Sequence, residues 1–166
     1  MIVAATERLI LRELNLEDAA FMLELLNEAA FLRFIGDKGV RNLHEAREYL
    51  LQGPIASYAR NGFGLYAVCL HDGTRLGICG LVRRNGLSDP DVGFAFLARH
   101  RGKGYAVESA TAVLRRARDV LQLGRIVAIC SSDNAASMAV LGKIGLRFAG
   151  MIRLSEDDPE LKLFAL

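Results

Sequence analysis

The sequence lacks the features that mark membrane, secreted and nucleic-acid-binding proteins. None of its apolar runs approaches the ~20 residues of a membrane-spanning helix. The first residues contain no basic segment followed by a long apolar stretch, so no secretory signal is visible. The net charge is +2, whereas general nucleic-acid binders usually carry a clear basic excess. We therefore expect a cytoplasmic protein that binds neither membranes nor nucleic acid in general.

Cysteine and histidine are also scarce, with three residues of each type. Cys69, Cys79 and Cys130 are far apart, and each lies in an apolar, strand-like run. This placement is typical of small buried side chains rather than of disulfide partners. The histidines share no metal-ligand spacing with the cysteines. We expect no metal site.

What remains is the composition of an ordinary soluble globule, with 52% hydrophobic and 24% charged residues. A chain of 166 residues buries enough surface to fold without a disulfide or a metal. No internal repeat, low-complexity tract or linker interrupts it. We therefore predict a single domain over residues 1–166.

Hydrophobic periodicity and turn signals predict an alternation of strands and helices. Asn42 and Glu45 resemble a capping box, and Gly53-Pro54 should end the helix that this box begins, after which Pro54 can start a further turn or two. The predicted strands are 6–13, 64–70, 75–82, 91–97, 125–130, 147–152 and 161–166. The predicted helices are 16–30, the segment from Asn42 to Gly53, 105–121 and 134–144, with a loop at 36–41.

The connections between these elements predict the fold class. Asp72-Gly73 is a strong hairpin signal, which indicates antiparallel pairing of the strands on either side. The strand–helix–strand unit over residues 91–130 indicates one parallel pair with a right-handed crossover. We predict an α/β fold of the α+β type, with a mixed, mostly antiparallel sheet of about six or seven strands and about four helices on its faces.

The residues with the clearest chemistry form a basic, glycine-containing turn over 99–105, Arg-His-Arg-Gly-Lys-Gly-Tyr. The turn follows a strand and opens a helix, where unpaired N–H groups and the helix dipole favour a phosphate group. It is neither a P-loop nor a dinucleotide fingerprint, since Val107 stands where the latter needs glycine or alanine. A simple turn with solvated arginines remains the alternative.

Several segments, in order, resemble the GNAT superfamily of N-acyltransferases. Residues 99–104 match its coenzyme A signature, Arg-x-x-Gly-x-Gly. Residues 102–110 are similar to the Gly-x-Gly-Tyr-Ala-x-Glu-Ala stretch of its ribosomal-protein N-terminal acetyltransferase-like branch. Residues 6–12, 133–137 and 142–150 also resemble segments of that branch. The resemblance covers nearly the whole chain.

The resemblance implies the GNAT fold and an acyl-CoA-dependent N-acetyltransferase. Acetyl-CoA would be the co-substrate, and no metal would take part. The pyrophosphate would lie on the backbone of residues 101–104, and the pantetheine arm along strand 91–97, which in this superfamily splays from strand 125–130. The implied cofactor-binding residues are Phe96, Leu97, Arg99, Arg101, Gly102, Lys103, Gly104, Tyr105, Ala106, Asn134 and Ser137.

The catalytic residues are less well defined. Asp91 is the candidate base, with a solvated carboxylate at a strand start as the alternative. Many superfamily members place a tyrosine acid where this chain has Leu141, so Ser137 is the candidate proton donor; the alternative is a helix-start serine that bonds the local backbone. The N–H of Phe96 or Leu97 could stabilise the oxyanion.

Two other residues near the motif can be explained by a structural role instead of a functional one. Asn134 could serve only as an N-cap, because asparagine is a favoured capping residue. Glu108 is explained at least as well by the helix dipole, which favours a carboxylate in the first turn.

The acceptor amine cannot be read from these motifs. We expect a primary amine of a protein N-terminus or of a small molecule, selected by the first two helices and the loops at 36–41 and 155–160. Two rival functions remain open: a non-catalytic CoA-binding regulatory module, and an acetyltransferase directed at aminoacyl-tRNA or the ribosome. A homodimer is compatible with the sequence.

Overall fold

The structure, a computed structural model, describes residues 1–166 and contains one sheet of eight strands. The strands are β1 (Ile2–Ala5), β2 (Leu9–Glu13), β3 (Leu65–Leu70), β4 (Arg75–Val82), β5 (Asp91–Phe96), β6 (Val127–Cys130), β7 (Arg147–Ile152) and β8 (Leu161–Ala165). The α-helices are α1 (Ala19–Leu26), α2 (Ala29–Phe34), α3 (Leu43–Leu50), α4 (Ala56–Asn61), α5 (Tyr105–Asp119) and α6 (Ala135–Lys143).

The strand order is β1-β2-β3-β4-β5-β6-β8-β7. Neighbouring strands are antiparallel except β5 and β6, which are parallel. The predicted fold class, a mixed and mostly antiparallel sheet with one parallel pair, is therefore confirmed. The eighth strand is β1, which the sequence analysis missed. Residues 6–8 form the turn between β1 and β2 rather than the start of a strand, and the Thr6 N–H donates to the Leu9 carbonyl at 2.8 Å.

The helix predicted over 16–30 is divided into three pieces. A short 3₁₀ turn (Leu16–Asp18) precedes α1, and a break at Asn27 and Glu28 separates α1 from α2. The Asn27 side-chain amide donates to the Leu23 and Val40 carbonyls, each at 2.8 Å. This side chain thus satisfies a carbonyl at the end of α1 and ties the helix to the following loop.

The prediction that Gly53-Pro54 ends a helix is wrong. The chain stays helical from Leu43 to Asn61, because a π-turn at Leu51–Ile55 joins α3 to α4. A wider turn accommodates a residue that has no N–H to donate. The capping signal at the start of α3 was correct, since the Asn42 side chain accepts from the Glu45 N–H at 2.8 Å.

The sheet separates two apolar clusters. One lies under α5 and α6, and the other under α1 and α3. Strand β5 and the residue after it contribute to both clusters, with Phe96 in the first and Leu97 in the second. The three cysteines are buried and free. None of the helices combines the length and the hydropathy needed to cross a membrane.

Candidate active site

The parallel strands β5 and β6 separate soon after they meet. They share a single residue pair, Asp91 with Val127, and the Val127 N–H donates to the Pro90 carbonyl at 3.1 Å. Beyond this point β6 continues to pair with β8, and β5 with β4, but not with each other. A wedge-shaped gap therefore opens from Asp91 towards the carboxyl end of β5.

The backbone of β5 presents free donors to this gap. The Leu97 N–H donates to the Leu76 carbonyl of β4 at 3.0 Å, which fixes the alternation of the ladder. Residues in an antiparallel pair direct their N–H groups alternately to one side and the other. Phe94 and Phe96 therefore direct their N–H groups into the gap. The sequence analysis named the N–H groups of Phe96 and Leu97 as candidate donors to the oxyanion. The Leu97 N–H is already bonded to β4, so Phe96 is the remaining candidate.

The glycine turn lies where β5 ends and α5 begins. Gly102 and Gly104 have φ angles of 77° and 82°, a left-handed conformation that favours glycine. A side chain added at Gly102 would meet nothing within 4 Å, so its backbone is open to a ligand. No side chain caps α5, whose first residues are Tyr105 and Ala106. The N–H groups at this helix start are thus available to an anion.

The two arginines of the turn are held by helix α1 and the segment after it. Arg99 makes two hydrogen bonds to the Glu24 carboxylate, at 2.5 and 3.3 Å. Arg101 donates from Nε to the Phe96 carbonyl at 3.0 Å and from Nη2 to Glu28 at 3.1 Å. These contacts fix the backbone of the turn, but they also occupy much of the hydrogen-bonding capacity of both side chains. The sequence analysis did not find Glu24 and Glu28, although both lie within the helix predicted over 16–30, about one turn apart.

The remaining basic residues of the turn differ in charge. The pKa of His100 is lowered from its usual value, first by partial burial and then by the cations of Arg99 and Lys103. The neutral imidazole therefore predominates near pH 7. Lys103 is exposed and makes no ion pair. Among the lysine and arginine side chains of the turn, it is the one without an acidic partner.

Asp91 lies at the closed end of the gap. Its side chain is 1% exposed, and its Oδ2 accepts from Arg84 Nε at 2.6 Å. Burial raises the pKa of this carboxyl, and the Arg84 cation opposes the rise without cancelling it. The alternative of a solvated carboxylate is therefore wrong. The sequence contained no signal for Arg84, because the pair joins β5 to the loop after β4.

The surroundings of Asp91 carry a local excess of positive charge. The pKa of Lys38 is lowered, first by desolvation of its ammonium and then by the nearby Arg84 guanidinium, although the residue as a whole is exposed. Lys38 makes no ion pair. The pKa of Tyr49 is raised by burial, against the effect of Arg84. Arg84 thus lies between the Asp91 carboxylate, the Lys38 ammonium and the half-buried phenol of Tyr49, and it brings loop 36–41 and α3 close to Asp91.

Helix α6 borders the gap on the side of β6. Asn134 caps it, and its Oδ1 accepts from the Ser137 N–H at 3.1 Å. The capping role of Asn134 is therefore shown, while its side-chain N–H₂ group stays free. The Ser137 hydroxyl is half-buried and makes no hydrogen bond, so it does not bond the local backbone. Leu141 is fully buried and offers no donor.

One ion pair spans the gap from α2 to the loop after β6. Arg33 Nη2 lies 3.2 Å from the Asp133 carboxylate, which also accepts from the Ser131 hydroxyl at 2.6 Å. Both partners of the pair are more than half exposed, so the contact adds little stability. It does show that α2 and the start of α6 approach each other over the gap.

This combination of a split parallel pair and a glycine turn at a helix start defines a class of acyl-CoA-dependent transferases. Residues 8–147 match the family described as the GNAT acetyltransferase domain. The chain therefore belongs to the GNAT acetyltransferase family, as the sequence resemblance predicted. Among curated proteins it is 29% identical to the uncharacterized protein YkkB of Bacillus subtilis over 154 residues, covering 89% of this chain and 87% of YkkB.

Other relatives and structures agree with this assignment. The uncharacterized N-acetyltransferase YnaD of Bacillus subtilis is 25% identical, covering 89% of this chain and 84% of YnaD. An acetyltransferase from Agrobacterium tumefaciens superposes with a TM-score of 0.85 at 24% identity, covering 100% and 94% of the two chains. RimL, a ribosomal L7/L12 α-N-protein acetyltransferase solved with coenzyme A, gives a TM-score of 0.84 at 19% identity, covering 100% and 97%.

Proposed function

We propose that this chain transfers an acetyl group from acetyl-CoA to a primary amine. The observation that carries this proposal is the continuous track from the glycine turn at residues 101–104, along the free N–H groups of β5, to the buried carboxylate of Asp91. Family membership supports acyl transfer in general. The track supports the assignment of roles, with residues 1–166 acting as one N-acetyltransferase domain.

The residues along the track fit acetyl-CoA. The open backbone around Gly102 and Gly104 suits a pyrophosphate, and the N–H groups of Phe94 and Phe96 suit the carbonyl oxygens of the pantetheine arm and of the thioester. The free amide N–H₂ of Asn134 and the Ser137 hydroxyl would contact the arm from the opposite side. Bound there, acetyl-CoA supplies a thioester carbonyl that a neutral amine can attack.

Side-chain and backbone groups of the chain would accept the amine proton and stabilise the negative charge that develops on the thioester. An α-amine has a reference pKa of ~7.7–8.0 and a lysine amine one of ~10.4, so an α-amine needs less help to become neutral. Asp91 would take the amine proton through Oδ1, which accepts no hydrogen bond in the structure. The Phe96 N–H would stabilise negative charge on the carbonyl oxygen. Ser137 would donate a hydrogen bond to the departing sulfur.

The charges around Asp91 bear on the acceptor, a protein N-terminus or a small molecule. Asp91 is paired with Arg84, and Lys38 lies near Arg84 without an acidic partner, so a second ammonium on the acceptor would meet net repulsion there. A spermidine N-acetyltransferase from Vibrio cholerae, solved with CoA and spermine, shares the fold with a TM-score of 0.79 at 17% identity, covering 97% of this chain and 96% of that one. We propose that polyamines are poor acceptors for the present chain.

The proposal is tested first by isothermal titration of acetyl-CoA in the presence of EDTA. We expect binding that chelation does not change, whereas loss of binding on chelation would contradict a metal-free site. Amines and peptides would then be screened by thermal shift with acetyl-CoA present, followed by mass spectrometry of the products. Binding without any acetylated product would favour the non-catalytic CoA-binding module instead.

The position of the pyrophosphate is tested by Gly104→Val. This residue has a positive φ, and an added Cβ would lie 3.3 Å from Arg8 Nη2, so a side chain strains the turn and narrows the site. We expect a large loss of CoA affinity with an unchanged fold. Gly124→Val is the matched control, since Gly124 is exposed, lies between α5 and β6 and has open space around its Cβ. Normal CoA affinity in Gly104→Val would place the pyrophosphate elsewhere.

A further inference from the structure

The turn between β1 and β2 (Thr6–Arg8) is fastened to the first turn of α5 through Glu108. One Glu108 oxygen, Oε2, accepts from the Thr6 hydroxyl at 2.5 Å and from the Arg8 N–H at 3.1 Å. The other, Oε1, accepts from Arg8 Nε at 2.7 Å. Partial burial alone would raise the pKa of Glu108, but these hydrogen bonds outweigh it and lower the pKa, so the carboxylate is ionised at neutral pH.

The Arg8 side chain is held on further sides by the glycine turn. Its Nη1 donates to the Lys103 carbonyl at 2.8 Å, and its guanidinium stacks over the Tyr105 ring at 4.6 Å from the centroid. A guanidinium fixed by a carboxylate, a carbonyl and an aromatic face has already lost most of its rotamer freedom. A ligand that binds to it therefore incurs little additional entropy cost.

One nitrogen of this guanidinium is unused. Arg8 Nη2 makes no hydrogen bond, and it lies 3.3 Å from the position that a Cβ would take at Gly104. It is thus directed to the same place as the free N–H groups at the start of α5. Arg99 and Arg101 are likewise paired, with Glu24 and Glu28, but no atom of either lies within 4 Å of that position. The fixed cation whose unused nitrogen lies against Gly104 therefore comes from the N-terminal turn.

We propose that Arg8 binds a phosphate group of acyl-CoA from outside the glycine turn, while Thr6 and Glu108 position it and Arg99 and Arg101 hold the turn in shape. The inference rests on the proposed function, because the ligand is the same. It extends the phosphate site to residues that lie about a hundred positions earlier in the chain. It also assigns Glu108 a role beyond its interaction with the helix dipole, as the residue that aims Arg8.

The test measures the binding of two probes to Arg8→Gln and to the wild type. CoA carries the phosphates and is followed by isothermal titration; pantetheine lacks them and is followed by NMR titration at millimolar concentration. Charge-assisted hydrogen bonds are the strong ones, so we expect the Kd for CoA to rise roughly 10- to 100-fold while that for pantetheine changes less than about twofold. Arg115→Gln, which removes an exposed cation from the middle of α5, should leave both Kd values unchanged.

Arg8→Lys keeps a positive charge but cannot make the same set of contacts, so its Kd for CoA should lie between those of the wild type and Arg8→Gln. If circular dichroism shows that Arg8→Gln does not fold, the binding of CoA and pantetheine is compared between Arg8→Lys and the wild type instead. Equal weakening for CoA and pantetheine would overturn the inference, because it would mean that Arg8 only supports the fold. Unchanged CoA affinity would overturn it too. A wild type that binds pantetheine and CoA equally would instead contradict the proposed phosphate site as a whole.

Discussion

Asp18 and Asp91 are two aspartates with almost the same burial, 0% and 1% exposed, and opposite electrostatic surroundings. Asp18 accepts four hydrogen bonds, two from Arg12, one from Arg75 and one from the Asn15 N–H, at 2.6 to 2.9 Å. Burial alone would raise its pKa, but these donors outweigh burial and lower it. Asp91 accepts one hydrogen bond, from Arg84, and burial keeps its pKa raised.

The difference separates a carboxylate whose oxygens are all occupied from one with an oxygen free to accept a proton. Asp18 joins the start of α1 to β2 and β4, with every oxygen occupied, so it is stabilised as an anion and has no capacity for another proton donor. Asp91 lies at the closed end of the gap with one oxygen unoccupied. A carboxylate that is buried, incompletely satisfied and placed in a cleft is a candidate for proton transfer. Burial alone would not have distinguished the two.

The sharpest way to break this comparison is Asp91→Asn. The amide keeps the size of the side chain but cannot accept a proton, so kcat should fall at least about 100-fold if Asp91 is the base. The KM for acetyl-CoA should stay unchanged, because the glycine turn lies at the other end of the gap. Asp89→Asn, two residues earlier in the loop that precedes β5, is the matched control and should keep wild-type kcat. An Asp91→Asn enzyme with normal kcat would show that water or another group takes the proton.

Asp18→Asn should have the larger effect on folding. Removing one partner of a buried ion pair costs about 3–5 kcal/mol; we expect about 3 kcal/mol here, because Arg12 and Arg75 both reach solvent. The melting temperature should fall by roughly 6–12 °C for a chain of this size. Asp91→Asn should change the free energy of unfolding by less than about 1 kcal/mol, since Arg84 is one-third exposed and stays hydrated. Denaturant titration measures both values, and equal losses would contradict the distinction.

Ser137→Ala extends the comparison from the attacking amine to the departing sulfur. If Asp91 receives a proton from the amine, the departing sulfur needs a donor near α6, and Ser137 has a free hydroxyl there. A serine that only donates a hydrogen bond is a weak acid, so kcat should fall about tenfold, below the usual effect of a general acid. An unchanged KM for acetyl-CoA would mark an interaction made in the transition state. Ser132→Ala is the control, and wild-type kcat in Ser137→Ala would leave water as the proton source.

The smallest expected effect is a difference in the pH dependence of stability. Asp18 has a lowered pKa, so its contribution is present above the unfolded-chain value of ~3.9 and is lost as the pH falls through the folded pKa. Asp91 has a raised pKa, so it costs stability as the pH rises from ~3.9 through its folded pKa. The difference in free energy of unfolding between the wild type and Asp18→Asn should therefore become smaller in acid. The free energy of unfolding of Asp91→Asn should rise relative to that of the wild type as the pH rises. Denaturant titrations at several acidic pH values measure both differences. The account would be contradicted if the wild-type stability relative to Asp18→Asn and that relative to Asp91→Asn changed in the same direction with pH.

Much of the fold was accessible from the sequence because its signals are local. The Asp72-Gly73 hairpin, the amphipathic pattern of α5 and the cap at Asn42 each depend on residues within one element. The errors arose where something other than periodicity decided the outcome. The break at Asn27 accompanies a contact of its amide with the distant Val40 carbonyl, and the π-turn at Pro54 is a local adjustment of the backbone that periodicity does not record.

The candidate site divides in the same way. The glycine turn, Asp91, Asn134 and Ser137 could be proposed from motif and spacing, and the structure places them around one gap. The partners that set their chemistry could not be proposed, because Arg84, Glu24 and Glu28 reach them from other elements. Even the choice between Phe96 and Leu97 required the register of β4 against β5.

The most direct test of the central claim is a mass-spectrometric assay of acetyl transfer with wild-type protein, acetyl-CoA and a panel of amines, including peptides with free N-termini and polyamines. The account predicts that at least one primary amine gains a single acetyl group at a rate proportional to enzyme, that polyamines react poorly, and that Gly104→Val forms little product at the same acetyl-CoA concentration. Acetyl-CoA binding to the wild type without transfer to any amine in the panel would contradict the account.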